Sequence, residues 1–222
     1  MVRLKNFVIY RWGFLILIFL FLFQCAPAEK PQPLSPRFSE KLKNIVVIPF
    51  DYHCPTETPL PFYCPVQGII PGEIEINAKE IMNQLLRKEL AQFSGKHNFI
   101  FLSQNEFETL LEEGLSVAKT SSELVRYIAE KTGAEGVLYG KIFRFKERKG
   151  ASWSVEEPAS VAFTLVLYDG ESGRILWQVV FDETQKPLSE NLLNLSLYGK
   201  VKWLTAEELA ERGLKKVLRT FP

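Results

Sequence analysis

The sequence predicts an α/β (α+β) body. It has a single mixed sheet with parallel first strands and an antiparallel C-terminal meander, flanked by about four helices. Three observations predict it. Short β-branched runs alternate with segments of helical periodicity. Four helix starts carry a local cap signal. A Gly-rich turn joins two late strand-like runs. Residues 44–50 (Asn-Ile-Val-Val-Ile-Pro-Phe) read as a buried strand. Residues 77–93 place Ile81, Leu85, Leu86, Leu90 and Phe93 at helical spacing, with Asn77 and Glu80 as a capping box and Gly95 as the stop. Residues 99–102 form the second predicted strand. Ser103 with Glu106 caps a helix predicted to end at Gly114, and Thr120 with Glu123 caps another that ends at Gly133. Residues 137–145 form the third strand. Residues 161–168 alternate Val161, Phe163, Leu165 and Leu167 against Ala162, Thr164 and Val166, which predicts a fourth strand with one core face. Asp169, Gly170, Glu171, Ser172 and Gly173 make a hairpin turn into a returning strand over 175–181. Thr205 with Glu208 caps a last helix that ends near Thr220. Strand, helix, strand, helices, strand requires crossovers, so the first strands pair in parallel.

The chain has 222 residues, 46% of them hydrophobic and 24% charged. That balance excludes a disordered charged tail, a collagen-like repeat and a many-span membrane protein. It carries 27 basic and 26 acidic side chains. Removing residues 1–24 takes away Arg3, Lys5 and Arg11 and leaves 24 against 26, a net charge of −2. Such a body has no general pull on nucleic acid.

The first residues read as an address. Arg3, Lys5 and Arg11 precede an apolar run over 13–23, and Cys25 follows. The run is shorter than the roughly 20 residues of a bilayer span and fits a signal-peptide core. Leu22, Phe23, Gln24 and Cys25 resemble a bacterial lipobox; Leu22 and Cys25 match it, whereas Phe23 and Gln24 differ. The resemblance implies that the Cys25 sulfur is alkylated with diacylglycerol and its freed amine acylated. Two or three acyl chains anchor firmly where one does not. The other reading is an uncleaved anchor helix over 7–23, against which Arg11 counts. Both export the remainder. Ala26, where Asp would retain such a lipoprotein in the inner membrane, implies by resemblance the periplasmic face of the outer membrane. The divisions are therefore a signal peptide over 1–24, the lipidated Cys with a proline-rich tether over 25–38, and one periplasmic domain over 39–222. Pro27, Pro31, Pro33 and Pro36 keep the tether extended, with a reach of roughly 35 to 40 Å.

Three segments carry a further resemblance: Ile-Val-Val-Ile-Pro-Phe at 45–50, Thr-Gly-Ala-Glu-Gly-Val-Leu-Tyr-Gly-Lys-Ile at 132–142, and Leu-Tyr-Asp-Gly-Glu-Ser-Gly-Arg-Ile-Leu-Trp at 167–177. They resemble the periplasmic lipoprotein family that includes the TolB amino-terminal domain, LpoB and the core of CsgG. The resemblance spans most of the body and rests on strand, turn and packing residues. It implies a fold more than an activity.

Cys54 and Cys64 lie in a long loop over 51–72. In an oxidising compartment they suit a disulfide. A metal site with His53 and two free thiols are the other readings, and no metal is assigned. Tyr52, Phe62, Tyr63, Ile69 and Ile70, stiffened by nearby prolines, form a candidate partner-contact loop; the other reading is that they cover the sheet. Lys141, Arg144, Lys146, Arg148 and Lys149 read as the solvated end of an edge strand, or as a contact for anionic headgroups. Glu73 and Glu75 read as surface charge.

No catalytic residue is assigned, because no Ser-His-Asp order, phosphate loop or dinucleotide fingerprint is present. No cofactor is expected. The function expected is a lipid-anchored, non-catalytic interaction, assembly or regulatory module of the cell envelope, bound to the membrane and to an envelope protein, with homo-oligomers open. The alternative is a periplasmic small-ligand binder or enzyme with a site beyond the strand ends. An LpoB-like role across the periplasm needs a longer reach than this tether has, and a CsgG-like pore needs membrane-inserting hairpins. Only residues 150–168 could be considered for those, and they read as one strand.

Overall fold

The computed structural model of the chain describes residues 42–52, 69–151, 154–186 and 203–222. All belong to the unit Leu34–Pro222. Strands β1 (Asn44–Val47), β2 (Asn98–Phe101) and β3 (Gly136–Lys146) are followed by a short pair, β4 (Lys149–Ala151) and β5 (Ser154–Glu157). Strands β6 (Ser160–Asp169) and β7 (Ile175–Thr184) complete the set. Among the described residues, the α-helices are α1 (Ala78–Leu90), α2 (Gln104–Val117), α3 (Ser121–Thr132) and α4 (Ala206–Val217). The main sheet runs β2-β1-β3-β6-β7. Strand β1 is parallel to β2 and β3, while β3, β6 and β7 form an antiparallel meander. The mixed α+β class is the one the sequence predicts.

Helices cover both faces. Ile45, Val47, Leu138, Phe163 and Leu165 pack with Met82 and Leu86 of α1 and Leu209 and Leu214 of α4. On the other face, Val46, Val137, Tyr139 and Val166 pack under Leu124, Val125 and Ile128 of α3 and Phe107 of α2. Strand β6 is therefore buried on both faces, not on one as its alternation suggests. Ala162, Thr164 and Val166 are as inaccessible as Phe163 and Leu165. A strand in mid-sheet with helices on both sides has no solvent face.

The caps divide. Ser103 and Thr205 form complete capping boxes with Glu106 and Glu208, and Thr120 accepts from the Glu123 N–H. Asn77 makes no side-chain cap. Its backbone is turned rather than extended (φ −93°, ψ 4°), and the Ala78 N–H bonds the Glu75 carbonyl instead. Gly114 does not stop α2, which continues to Val117. A Cβ there would lie 2.3 Å from Leu124 Cδ1, so this glycine serves the close approach of α2 to α3.

Two further expectations are corrected. Strand β3 lies between β1 and β6, so its basic run does not end an edge strand. Residues 150–168 hold more than one strand, because β4 and β5 pair there.

Candidate functional site

After β1 the described chain pairs with β3, and beyond residues 53–68 it pairs with β3 again. The Asp51 N–H donates to the Gly140 carbonyl at 3.1 Å, and its carbonyl accepts from the Ile142 N–H at 2.8 Å. On the return, the Gly72 N–H donates to the Phe143 carbonyl at 3.0 Å, and the Phe145 N–H donates to the Glu73 carbonyl at 2.9 Å. The intervening excursion thus has both stems fixed on neighbouring residues of β3. His53, Cys54, Phe62, Tyr63 and Cys64 lie outside the described residues, as does Cys25.

The stem residues divide by environment. Tyr52 is 42% exposed, with Lys79 Nζ 4.2 Å from its ring centroid and 3.4 Å from Asp51 Oδ1. Ile70 is 75% exposed. Ile69 is buried and clusters with Phe143 and Ala162. Glu73 is exposed and Glu75 half-buried.

Behind the stems, where a solvated run was expected, Lys141 is buried and Arg144 half-buried. Lys141 has no accessible surface and faces Thr164 across the β3–β6 pair. Burial pushes its ammonium below the ordinary lysine value, and the Asp51 charge opposes that shift. Burial and the Asp51 carboxylate raise the nearby Tyr139 phenol far above its usual value. A bulge between Ile142 and Arg144 then changes the register of β3. It lets Phe145 join the same cluster as Ile142 and turns Arg144 toward the other face. Arg144 Nη1 donates to the Ile70 carbonyl at 2.5 Å, its Nε to Ser160 Oγ, and its Nη2 pairs with Asp182. One guanidinium thereby ties the return stem to β6 and β7. Alternation alone gives no signal for this, because the bulge resets it. Lys146 and Lys149 both pair with Glu157, which bridges β3 to the β4–β5 pair.

A groove of about 750 Å³ lies at the opposite end of β3, near its first residues. Helix α3, the α2–α3 link and the β6–β7 turn form its walls, and neither Glu73 nor Glu75 lines it. The turn is held close by Gly173, whose φ of +69° places it against the Ser122 backbone. Among the described residues, no group of three or more His, Cys, Asp or Glu could hold a metal ion, and no helix is long and apolar enough to cross a membrane.

No family model matches the chain, and no curated protein matches it. Among solved structures it is similar to a PelC dodecamer from Paraburkholderia phytofirmans (12% identity, 81% of this chain and 87% of that chain, TM-score 0.47). It is also similar to lipoprotein GNA1162 from Neisseria meningitidis (13% identity, 71% and 96%, TM-score 0.40) and the LpoB C-terminal domain from Salmonella enterica (17% identity, 65% and 85%, TM-score 0.35). LpoB, named by the resemblance of the sequence segments, is thus among the structural neighbours. Likenesses at these scores say nothing about activity.

Proposed function

We propose that the chain is a lipid-anchored protein of the cell envelope and a non-catalytic interaction module that assembles or regulates another envelope protein. In this reading Cys25 carries the lipid, and the body stands at the periplasmic face of the outer membrane. The observation that carries it is the immediate succession of Arg3, Lys5, Arg11, the apolar run over 13–23 and Cys25, ahead of a folded body. The stems of the excursion support a contact role. Tyr52 and Ile70 stand exposed on backbone that β3 and Arg144 hold in place. Contacts presented on fixed backbone lose little entropy on binding. A disulfide between Cys54 and Cys64 would restrict the excursion further.

Metabolic labelling with an alkyne fatty acid tests the anchor. Wild type should label and partition into membranes, and Cys25→Ser should do neither. An unlabelled wild type rejects the reading. Crosslinking in intact envelopes tests the contact role. Tyr52→Ser combined with Ile70→Ser should lose the captured partner at unchanged melting temperature.

A further inference from the structure

Several ion pairs tie elements of the body together. Lys146 and Lys149 share Glu157, Lys88 and Lys215 share Glu211, Arg144 holds Asp182, and Lys79 meets Asp51. The groove beside α3 gathers acidic side chains instead. Among the described residues, Glu123, Glu130, Glu135, Asp169 and Glu171 line it, with Arg126 as the one basic side chain. Among the described residues, none of these five carboxylates makes an ion pair. Three are fixed by hydrogen bonds that leave the charge in place. Glu123 accepts from the Lys119 N–H, Glu135 from the Asn44 N–H, and Asp169 from the N–H groups of Glu171 and Ser172. Among the described residues, the Glu130 and Glu171 carboxylates make no such hydrogen bond. Between the acids the wall is apolar: Leu176 lines it, and Val117 is 63% exposed there.

We propose that this groove is a docking site for a cationic polypeptide segment of a partner protein, one that brings Lys or Arg to the rim and an apolar side chain to Val117 and Leu176. The choice of occupant follows from charge and shape. Five carboxylates against one guanidinium repel an anionic lipid surface or nucleic acid. The carboxylates are spread along the walls and do not converge as a metal site requires. A polyamine would satisfy the rim but leave the apolar wall wet. A concavity of about 750 Å³ falls in the range of ligand-sized sites. The inference deepens the interaction-module reading by naming the partner's chemistry.

The test uses the full chain in detergent and a fluorescein-labelled peptide of Lys-Leu-Lys units spaced by Gly-Ser, followed by anisotropy. Saturable binding is expected, about tenfold weaker at high salt. Glu130→Gln combined with Glu171→Gln should weaken it about fivefold without moving the melting temperature. Val117→Ser should weaken it about threefold and leave the salt dependence unchanged. The peptide with Leu replaced by Ser should bind less tightly than the parent. Equal binding of the Ser peptide, or no effect of the Gln pair, overturns the proposal. So does binding that appears only after proteolytic removal of the residues before Leu42, because the chain's own tether would then be the occupant. Loss of fatty-acid labelling would reject the anchor and leave this result standing, so the two readings fail separately.

Discussion

Asp51 and Lys141 are parallel bridge partners at the point where the chain departs from the sheet. The backbone of Asp51 grips β3 on both sides of Lys141, while its carboxylate bears on the buried ammonium. The junction therefore combines a backbone lock with a charge held out of water. Its energetic consequence depends on pH.

Lys141 titrates lower in the folded chain than in the unfolded one, because burial penalises its charged form. The unfolded chain then binds more protons in the window between the lowered value and 10.5. The burial penalty is present below that window and is relieved as pH rises through it. Wild-type stability, measured relative to Lys141→Met, should accordingly increase as pH rises toward 10.5. Urea midpoints of the two proteins across this range check it. Parallel curves would show that the ammonium is not under strain.

Arg144 should matter more than its place in a basic run suggests. Replacing it with Ala leaves Asp182 without its partner and frees the Ile70 carbonyl. The pair is partly exposed, so a loss of about 2 kcal/mol is expected rather than the full cost of a buried pair. Amide exchange at Gly72 and Glu75 should accelerate. Lys should not restore protection, since one ammonium cannot reproduce a three-way fork.

Glu157 is held down at about 2 by hydrogen bonds from Lys146 and Lys149. A depressed carboxylate contributes stability above its unfolded value of 4.5, and that contribution is lost as pH falls toward the folded value. Protection of the Gly150 and Val155 amides should therefore fall between about pH 4.5 and about pH 2 in wild type. In Glu157→Gln it should be low and flat across that window. Exchange followed by mass spectrometry reads both.

The caps supply a graded series. Ser103→Ala and Thr205→Ala each remove a side-chain acceptor from a helix start and should each cost about 1 kcal/mol in denaturant unfolding. Asn77→Ala removes no such bond and should cost only a few tenths. Equal losses at all three positions would contradict the observed cap geometry.

Much of the architecture could be read without coordinates, because local chemistry and global packing agree there. Ser103, Thr120 and Thr205 mark helix starts through short side-chain bonds that depend on a few neighbouring residues. The Asp169 turn is equally local, with both carboxylate oxygens engaged within the turn. Asn77 shows the limit of that logic, since the chain arrives along β3 in a turned conformation that gives the cap to backbone.

Buried Lys141, the Arg144 fork and the acid-rimmed groove were not legible. Each depends on residues brought together from distant parts of the chain. Whether Lys141 meets water depends on β3 lying mid-sheet, a matter of strand order. The aim of Arg144 depends on one extra residue in a bulge, which reverses alternation without changing composition. The groove acids come from α3, the segment before β3 and the β6–β7 turn, and their charges sum only after the strands pair. Short-range rules name elements because each involves one stretch of backbone. The electrostatics of a surface or interior depend on distance in space, which tertiary packing alone assigns.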